Sequence, residues 1–497
     1  MLRSPCCRIL LVSILVLAGC SEGSSSADKD ASAGTDAAVD ADSGLDAAVS
    51  GDAGADLGLD AAVDGGKLDP GTSWAKGVGG TSSDEGEAVA VDNQGNVYVT
   101  GIFSESLDFG DGARTSAGEM DVFVVSYDAA GALRWVKTFG GPNEDRGLAL
   151  AVNHDTLVVA GCLESPLDID GTALPNAGGE DVFIATFDLA GQLRRAKTFA
   201  GVDDARATAV AIDGAGNVAI TGFFNGVADF GGKSLSSNNE FNIDLFVARY
   251  DSSGALSWAK SFGNGLYDRG RSVAFDHSGG VILSGEYAVA VNFGGGMRES
   301  AGQTDAVVVA FDVDGKYRWD VHWGGTGFDS AYTVAVDSDD SLVVIGQFSS
   351  DVDFGEGVIT ARGNWDAFFA RLDRSGAQRW VKTLSSPEPD RGYGVAIDAE
   401  GNAYLTGSFN DTATVDGGGE LTSSGYSDIY LVSYDRAGTL RRAERLGGAE
   451  SDEGSSLAAG PSGEVLVTGY VSASFDGPTG EVLGAGGRDI VLWRVVP

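Results

Sequence analysis

One phrase of about 61 residues recurs seven times between residues 74 and 497, and that period constrains the fold more than any other feature of the chain. The first copy runs Trp74-Ala-Lys-Gly-Val-Gly-Gly, Asp84, Val89-Ala-Val-Asp92, Asn96-Val-Tyr-Val-Thr-Gly101, Asp121-Val-Phe-Val and Tyr127-Asp128. It restarts at Trp135, Arg195, Trp258, Trp319, Trp380 and Arg442. A fixed period of this length describes identical supersecondary units packed side by side, each covering its neighbour's apolar face.

Each copy holds four strand candidates. In the first these are Ala88 to Val91, Val97 to Thr100, Val122 to Val125 and Leu133 to Phe139. The short connections Asp92-Asn-Gln-Gly95 and Asp128-Ala-Ala-Gly131 place Asp first and Gly fourth, which suits a type I turn followed by a left-handed glycine. Such turns join antiparallel neighbours, so each copy reads as a meander. The apolar runs are nearly continuous, which implies sheets covered on both faces. Small residues in the first strand place it innermost, and the strand bearing Trp135, Trp258, Trp319 and Trp380 belongs outside, with Arg195 and Arg442 replacing the indole in two copies.

The chain starts the pattern on an outer strand at Trp74 and stops on a third strand at Ile490 to Trp493. If those two pair, no sheet edge is left free. The expected fold is therefore all-β: a seven-bladed β-propeller over residues 72–497, with four antiparallel strands per blade, closed by the N-terminal outer strand pairing with the last blade. The string Asp-x-x-Gly-Asn-Val-Tyr-Val-Thr-Gly at 92–101, with variants at 213–222 and 398–407, resembles the bacterial seven-bladed β-propeller repeat family. That resemblance implies architecture and no known activity. The segment Asp128-Ala-Ala-Gly131-Ala-Leu-Arg-Trp135 looks like the tryptophan motif of pyrroloquinoline-quinone dehydrogenase propellers. Their adjacent cysteines are missing here, so the motif is read as a packing device.

Upstream of the repeats the composition changes twice. Residues 1–20 carry Arg3 and Arg8, then the apolar run Ile9 to Ala18, too short to span a bilayer and suited to a secretory signal. Leu17-Ala18-Gly19-Cys20 resembles the lipobox of bacterial lipoproteins, which implies lipidation of Cys20 after cleavage. Residues 21–71 have no Trp, Tyr, Phe, Ile or Met and set Glu22 and eleven Asp against Lys29 and Lys67. Such a segment cannot bury enough apolar surface to offset its chain entropy, so it reads as a disordered stalk. As a coil it would reach roughly 40 Å. The expected address is an exported bacterial lipoprotein, at the outer membrane or cell surface rather than the inner membrane.

A net charge of −39 argues against nucleic acid and anionic lipid as partners, and leaves the lipid anchor as the expected membrane contact. With Cys6 and Cys7 in the signal and Cys20 lipidated, Cys162 stands alone as a buried filler.

Function is expected on the face that carries the loops between second and third strands. The loop from Phe103 to Asp121 has 17 intervening residues, and its counterparts have 17–19. The same face holds Asp84, Asp145, Asp204, Asp268, Asp329, Asp390 and Asp452 at the inner-strand entrances, and a second series at Asp121, Asp181, Asp244, Asp305, Asp366, Asp428 and Asp489. Two readings stand open: a carboxylate mouth binding a cation such as Ca2+ or a basic peptide, or turn-capping side chains accepting backbone N–H bonds. Asp337-Ser-Asp339 lacks the rest of a calcium loop. His154, His277 and His322 fall in separate places, so neither a triad nor a metal site is expected, and no cofactor is implied. Glu286, after Gly285, is the nearest thing to a break in the pattern. The expected role is a monomeric binding or scaffolding module for an envelope protein or glycan. An envelope hydrolase using long-loop carboxylates and a purely structural surface protein are the alternatives.

Overall fold

The computed structural model describes residues 73–496 apart from 200, 202, 239–241, 266, 478, 479 and 483–486. The signal segment, Cys20 and the stalk through residue 71 lie outside the described residues. What is described is all-β and propeller-like: four-stranded antiparallel sheets follow one another along the chain. In the first repeat the order Glu85–Val91, Val97–Phe103, Asp121–Tyr127, Leu133–Phe139 is also the spatial order. The last sheet draws on both ends of the described chain. Trp74–Val78 pairs antiparallel with Asp489–Val495, Trp74 facing Arg494 and Val78 facing Ile490.

The turns form for the reasons their residues suggest. Asp92 Oδ1 accepts the backbone N–H groups of Gln94 (2.8 Å) and Asn96 (2.9 Å), while Gly95 takes φ of 79°. Asp340 stands where other repeats have glycine and adopts φ of 61° itself. The second repeat is one residue shorter at this point, and Asn153 Oδ1 accepts from Thr156 N at 2.9 Å instead.

The outer tryptophans fasten each sheet to the next. Trp135 Nε1 donates to Leu189 O (3.1 Å), Trp258 to Val313 O (3.0 Å), Trp319 to Arg374 O (3.1 Å) and Trp380 to Arg436 O (3.2 Å). Each indole lies over the left-handed glycine of that following turn. A Cβ on Gly191 would sit 2.8 Å from Trp135, and one on Gly315 2.7 Å from Trp258, so the stack requires glycine twice over.

The long loops depart from expectation. Instead of layering on one face, each described loop carries a small hairpin, such as Ser106–Asp108 with Ala113–Thr115, whose apolar residues pack into the space between neighbouring sheets. Leu107 and Phe109 join a cluster that contains Trp74 and Ile490 from one sheet and Phe103 and Phe123 from the next. Phe230 does the same beside Phe199 and Phe246, and Phe354 beside Trp323 and Phe368. Sheets that diverge outward leave a widening gap, and burying a phenylalanine there stabilises by about 2 kcal/mol. The phrases Asp108-Phe-Gly110, Asp229-Phe-Gly231 and Asp353-Phe-Gly355 in these loops thus act as wedges between sheets.

Candidate binding face

The aspartates come first, since the repeat singles them out. Six of the seven in the inner-strand series are buried: Asp84, Asp145, Asp268, Asp329, Asp390 and Asp452. Each carboxylate fastens two backbone segments. Asp145 Oδ2 accepts from Gly141 N (2.6 Å) in the loop before its strand, and Oδ1 from Glu164 N (3.1 Å) beyond the second strand. Asp84 repeats this with Gly80 and Ser104, Asp268 with Gly265 and Ala288, Asp329 with Gly325 and Ser349, Asp390 with Ser386 and Asn410, and Asp452 with Gly448 and Ser472.

Asp204 is the exception. It is exposed, because it stands one residue before the ring position: Ala205, six residues after Phe199 as Asp145 is after Phe139, takes the structural place instead. Ala205 N donates to Glu180 O at 2.7 Å as Asp145 N does to Met120 O at 2.9 Å. The ring of seven read along the sequence is therefore a set of six in space.

The second series lies against the first. Asp121, Asp181, Asp244, Asp305, Asp366, Asp428 and Asp489 are all buried. Asp244 Oδ1 and Asp268 Oδ2 would lie 2.5 and 2.8 Å from a Cβ on Gly263, and Asp428 Oδ1 and Asp452 Oδ2 both 2.7 Å from one on Gly447. Two acids share one closed crevice that only glycine leaves open. Burial is the main cause that pushes Asp84 and Asp390 up to about 7 and Asp145, Asp244, Asp268, Asp329 and Asp452 up to about 6, against the backbone N–H groups and with the neighbouring carboxyl adding to the rise at most of them. Asp121, Asp244, Asp366 and Asp428 each keep a buried Oδ1 without a protein partner among the described residues, while Asp428 Oδ2 pairs with Arg445 at 2.7 Å. Among the described residues no cluster of three or more His, Cys, Asp or Glu is arranged to hold a metal ion. Asp337, once the start of a calcium-like string, instead pairs with Arg371 and, at 2.9 Å, with Arg436.

The side chains that vary between repeats stand one and three residues further on. Every inner strand carries a bulge after its second or third residue, between Gly86 and Ala88 in the first repeat and between Gly270 and Ser272 in the fourth. The residues flanking these points differ from repeat to repeat, and the structure gathers them. Arg271 is held by Glu286 through Nε at 3.0–3.1 Å and Nη2 at 2.9 Å, and its guanidinium lies 4.8 Å from the Tyr332 ring. Glu286 also accepts from Ser330 Oγ. Tyr332 meets Tyr393 edge to face at 5.1 Å, and Tyr393 Oη accepts from Arg391 at 3.3 Å. Arg269 lies 5.1 Å from the Phe223 ring and 5.6 Å from that of Tyr267. On the other side Arg206 forms a two-point pair with Glu180 (2.6 and 2.8 Å), and Arg488 pairs with Glu85 (2.7 Å) while covering Tyr470 at 4.3 Å. Phe328 and Trp365, 6.0 Å apart, extend the aromatic arc.

In a chain of net charge −39, this concentration of arginine is a marked local exception. Guanidinium planes stacked on rings and braced by carboxylates are held in place before any ligand arrives, and they offer flat donors beside flat apolar faces. Away from this mouth the inner strands line an apolar cavity of about 650 Å3, with Ala151, Val210, Ile212, Val273, Phe275 and Val336 on its walls. From the sequence, Glu286 stands out as a break in the pattern, and Arg146, Arg269 and Arg391 as cations directly following members of the aspartate series. The fuller signal is divergence with an arginine bias: Arg146, Arg206, Arg269 and Arg391 share their place with Glu85, Ser330 and Glu453. Cys162 is buried, its thiol pushed up by that burial, and is spent in packing.

No family model matches this chain. It is 21% identical over 470 residues to an uncharacterized WD repeat-containing protein, L264, of Acanthamoeba polyphaga mimivirus, across 73% of this chain and 33% of that protein. It is 28% identical over 156 residues to the regulatory protein FlaEY of Caulobacter vibrioides, across 31% of this chain and 16% of that one. The chain thus spans no more than a third of the length of these curated relatives. Among solved structures, YCF48 bound to D1 peptide superposes with a TM-score of 0.40 at 10% identity, covering 86% of this chain and 97% of the other.

Proposed function

We propose that this protein is a lipid-anchored module of the bacterial envelope that binds a protein or glycan partner at the inner-strand mouth of a seven-bladed propeller. The observation that carries the binding role is the Arg–aromatic–Glu constellation built from Arg269, Arg271, Arg391, Glu286, Tyr332 and Tyr393. Its arginines are braced by rings and by the buried Glu286, and it is assembled from positions that differ between repeats. The aspartates an envelope hydrolase would draw on are engaged by backbone amides and by each other, which favours recognition over catalysis.

Ring closure is supported by the pairing of Trp74–Val78 with Asp489–Val495, and by Glu85 of the first inner strand meeting Arg488. The resemblance to the bacterial seven-bladed repeat family fits the same reading. The anchor rests on Leu17-Ala18-Gly19-Cys20, and the acidic stalk then holds the propeller clear of the membrane. Outer-membrane or surface display follows from export combined with that anchor.

Two experiments test this. Parent protein and an Arg269→Gln/Arg391→Gln variant are immobilised and exposed to envelope extract. A defined protein or glycan retained by the parent and lost by the variant supports the mouth as the binding site, and equal retention sinks it. Globomycin-sensitive processing and a shift to the aqueous detergent phase in Cys20→Ser test the anchor.

A further inference from the structure

Around Arg195 three departures from the repeat coincide at one boundary between sheets. Arg195 replaces the indole that four other repeats place over the next turn, and its guanidinium lies over Gly254 in that turn. Val158 stands where the first and sixth repeats have Tyr98 and Tyr404, so the ring that meets Trp135 at 6.1 Å in the first repeat has no counterpart here. The turn Asn153 to Thr156 is also one residue short. Together they open a cavity of about 310 Å3 on the side of the molecule away from the mouth.

Its walls are apolar, formed by Ile184, Phe199, Ile212, Val218 and Tyr250. Its rim is cationic. Arg194 is engaged with Asp155 at 3.3 Å, Arg195 lies over Gly254, and Lys197 stands beside the neighbouring hairpin, where the Gly232 and Gly231 amides and then its own charge hold the Asp229 carboxyl below the usual carboxylate range. Lys197 lies 5.1 Å from the Phe199 ring, over the edge of the same cavity. The one other rim acid, Asp251, is turned back to cap its own turn through Ser253 N and Ala255 N.

We infer that this cavity binds a small aromatic carboxylate, its ring entering the space that tryptophan and tyrosine fill elsewhere and its carboxylate meeting Arg195 and Lys197. The size agrees with an indole-sized ring rather than a long acyl chain, being at the lower end of the range for ligand pockets. The charge agrees as well, since the Arg195 guanidinium and the Lys197 ammonium beside an apolar wall in so acidic a chain favour an anion. This site is independent of the mouth and does not rest on the partner proposed there.

The probe is indole-3-acetate, titrated calorimetrically into the full-length protein. Saturable submillimolar binding is expected, with tryptamine, the same ring bearing an ammonium, failing to bind. Arg195→Trp restores the indole of the other repeats, so it is expected to keep or raise Tm while weakening binding by about tenfold or more. Lys197→Gln is expected to weaken binding several-fold without lowering Tm. Absence of saturable binding by the parent overturns the inference. So does an Arg195→Trp variant that binds as well as the parent, or tryptamine binding as tightly as the acid. A peptide ending in tryptophan that binds when the free acid does not would overturn it too.

Discussion

Asp145 and Arg146 are neighbours on one inner strand and opposite in what they do. Asp145 and five equivalents are buried, alike in every detail and tied to the backbone. The position of Arg146 is half-exposed and becomes Glu85, Arg206, Arg269, Ser330, Arg391 or Glu453 in the other repeats. In a protein built from copies, sameness across the copies marks what packing demands of every copy. Difference marks where a single site has been built from several. The aspartate ring, which drew attention as a ligand site, is scaffold, and the variable positions beside it are the candidate recognition surface.

The sharpest way to strain that contrast is pH. Asp84, Asp145, Asp244, Asp268, Asp329, Asp390 and Asp452 titrate near 6–7 in the folded chain against 3.8 for an ordinary Asp, mainly through burial. A folded value above the unfolded one means that these groups add stability below about pH 4 and lose it as pH rises through 6–7. Tm should therefore climb as pH falls from 8 to 5. Below about pH 4 the trend should reverse, because the hydrogen-bonded turn acids Asp92 and Asp276, with lowered values, begin to protonate. High salt screens surface repulsion but not the buried pairs, so the climb should persist in 0.5 M salt at roughly the same size. A profile that goes flat in salt would falsify burial as the main cause of the raised values.

Next in size is Asp145→Ala, which strands two backbone N–H groups and should cost about 3 kcal/mol in urea unfolding. Trp319→Ala removes an indole and its bond to Arg374 O and should cost about 2–3 kcal/mol. At the mouth, Arg269→Gln/Arg391→Gln should change stability by less than about 1 kcal/mol while removing partner retention. Smallest is Asp204→Ala. The residue is exposed and Ala205 already holds its place in the ring, so the change should stay within about 0.5 kcal/mol. Equal costs for Asp145→Ala and Asp204→Ala would erase the distinction between a ring of six and a ring of seven.

Much of this molecule can be read from its residues because each signal is local or repeats at a fixed interval. Asp92 and Gly95 specify a turn within four residues. Trp135 and Gly191 specify one contact between consecutive copies, and the copies state it again with Trp258 and Gly315. Asp204 was legible by count, since six residues separate Phe139 from Asp145 and the same six lead from Phe199 to Ala205, so the acid falls one place before the buried position. What could not be read is whatever depends on several repeats packing at once. The Asp-Phe-Gly loops carry the same words whether they stand on a face or fold between sheets, and only the divergence of the sheets draws Phe109 and Phe230 inward.

The all-β repeat, the Asp-x-x-Gly turns, the outermost place of the tryptophan strand and the acidic composition of residues 21–71 are legible in the chain itself, since each follows from backbone preference, period or composition. Tertiary structure alone decided that Arg271, Glu286, Ser330, Tyr332 and Tyr393 meet. They come from three different repeats; Arg271, Tyr332 and Tyr393 hold the same place in each, one period of 61 residues apart, but their contacts with one another and with Glu286 exist only because neighbouring inner strands pack side by side.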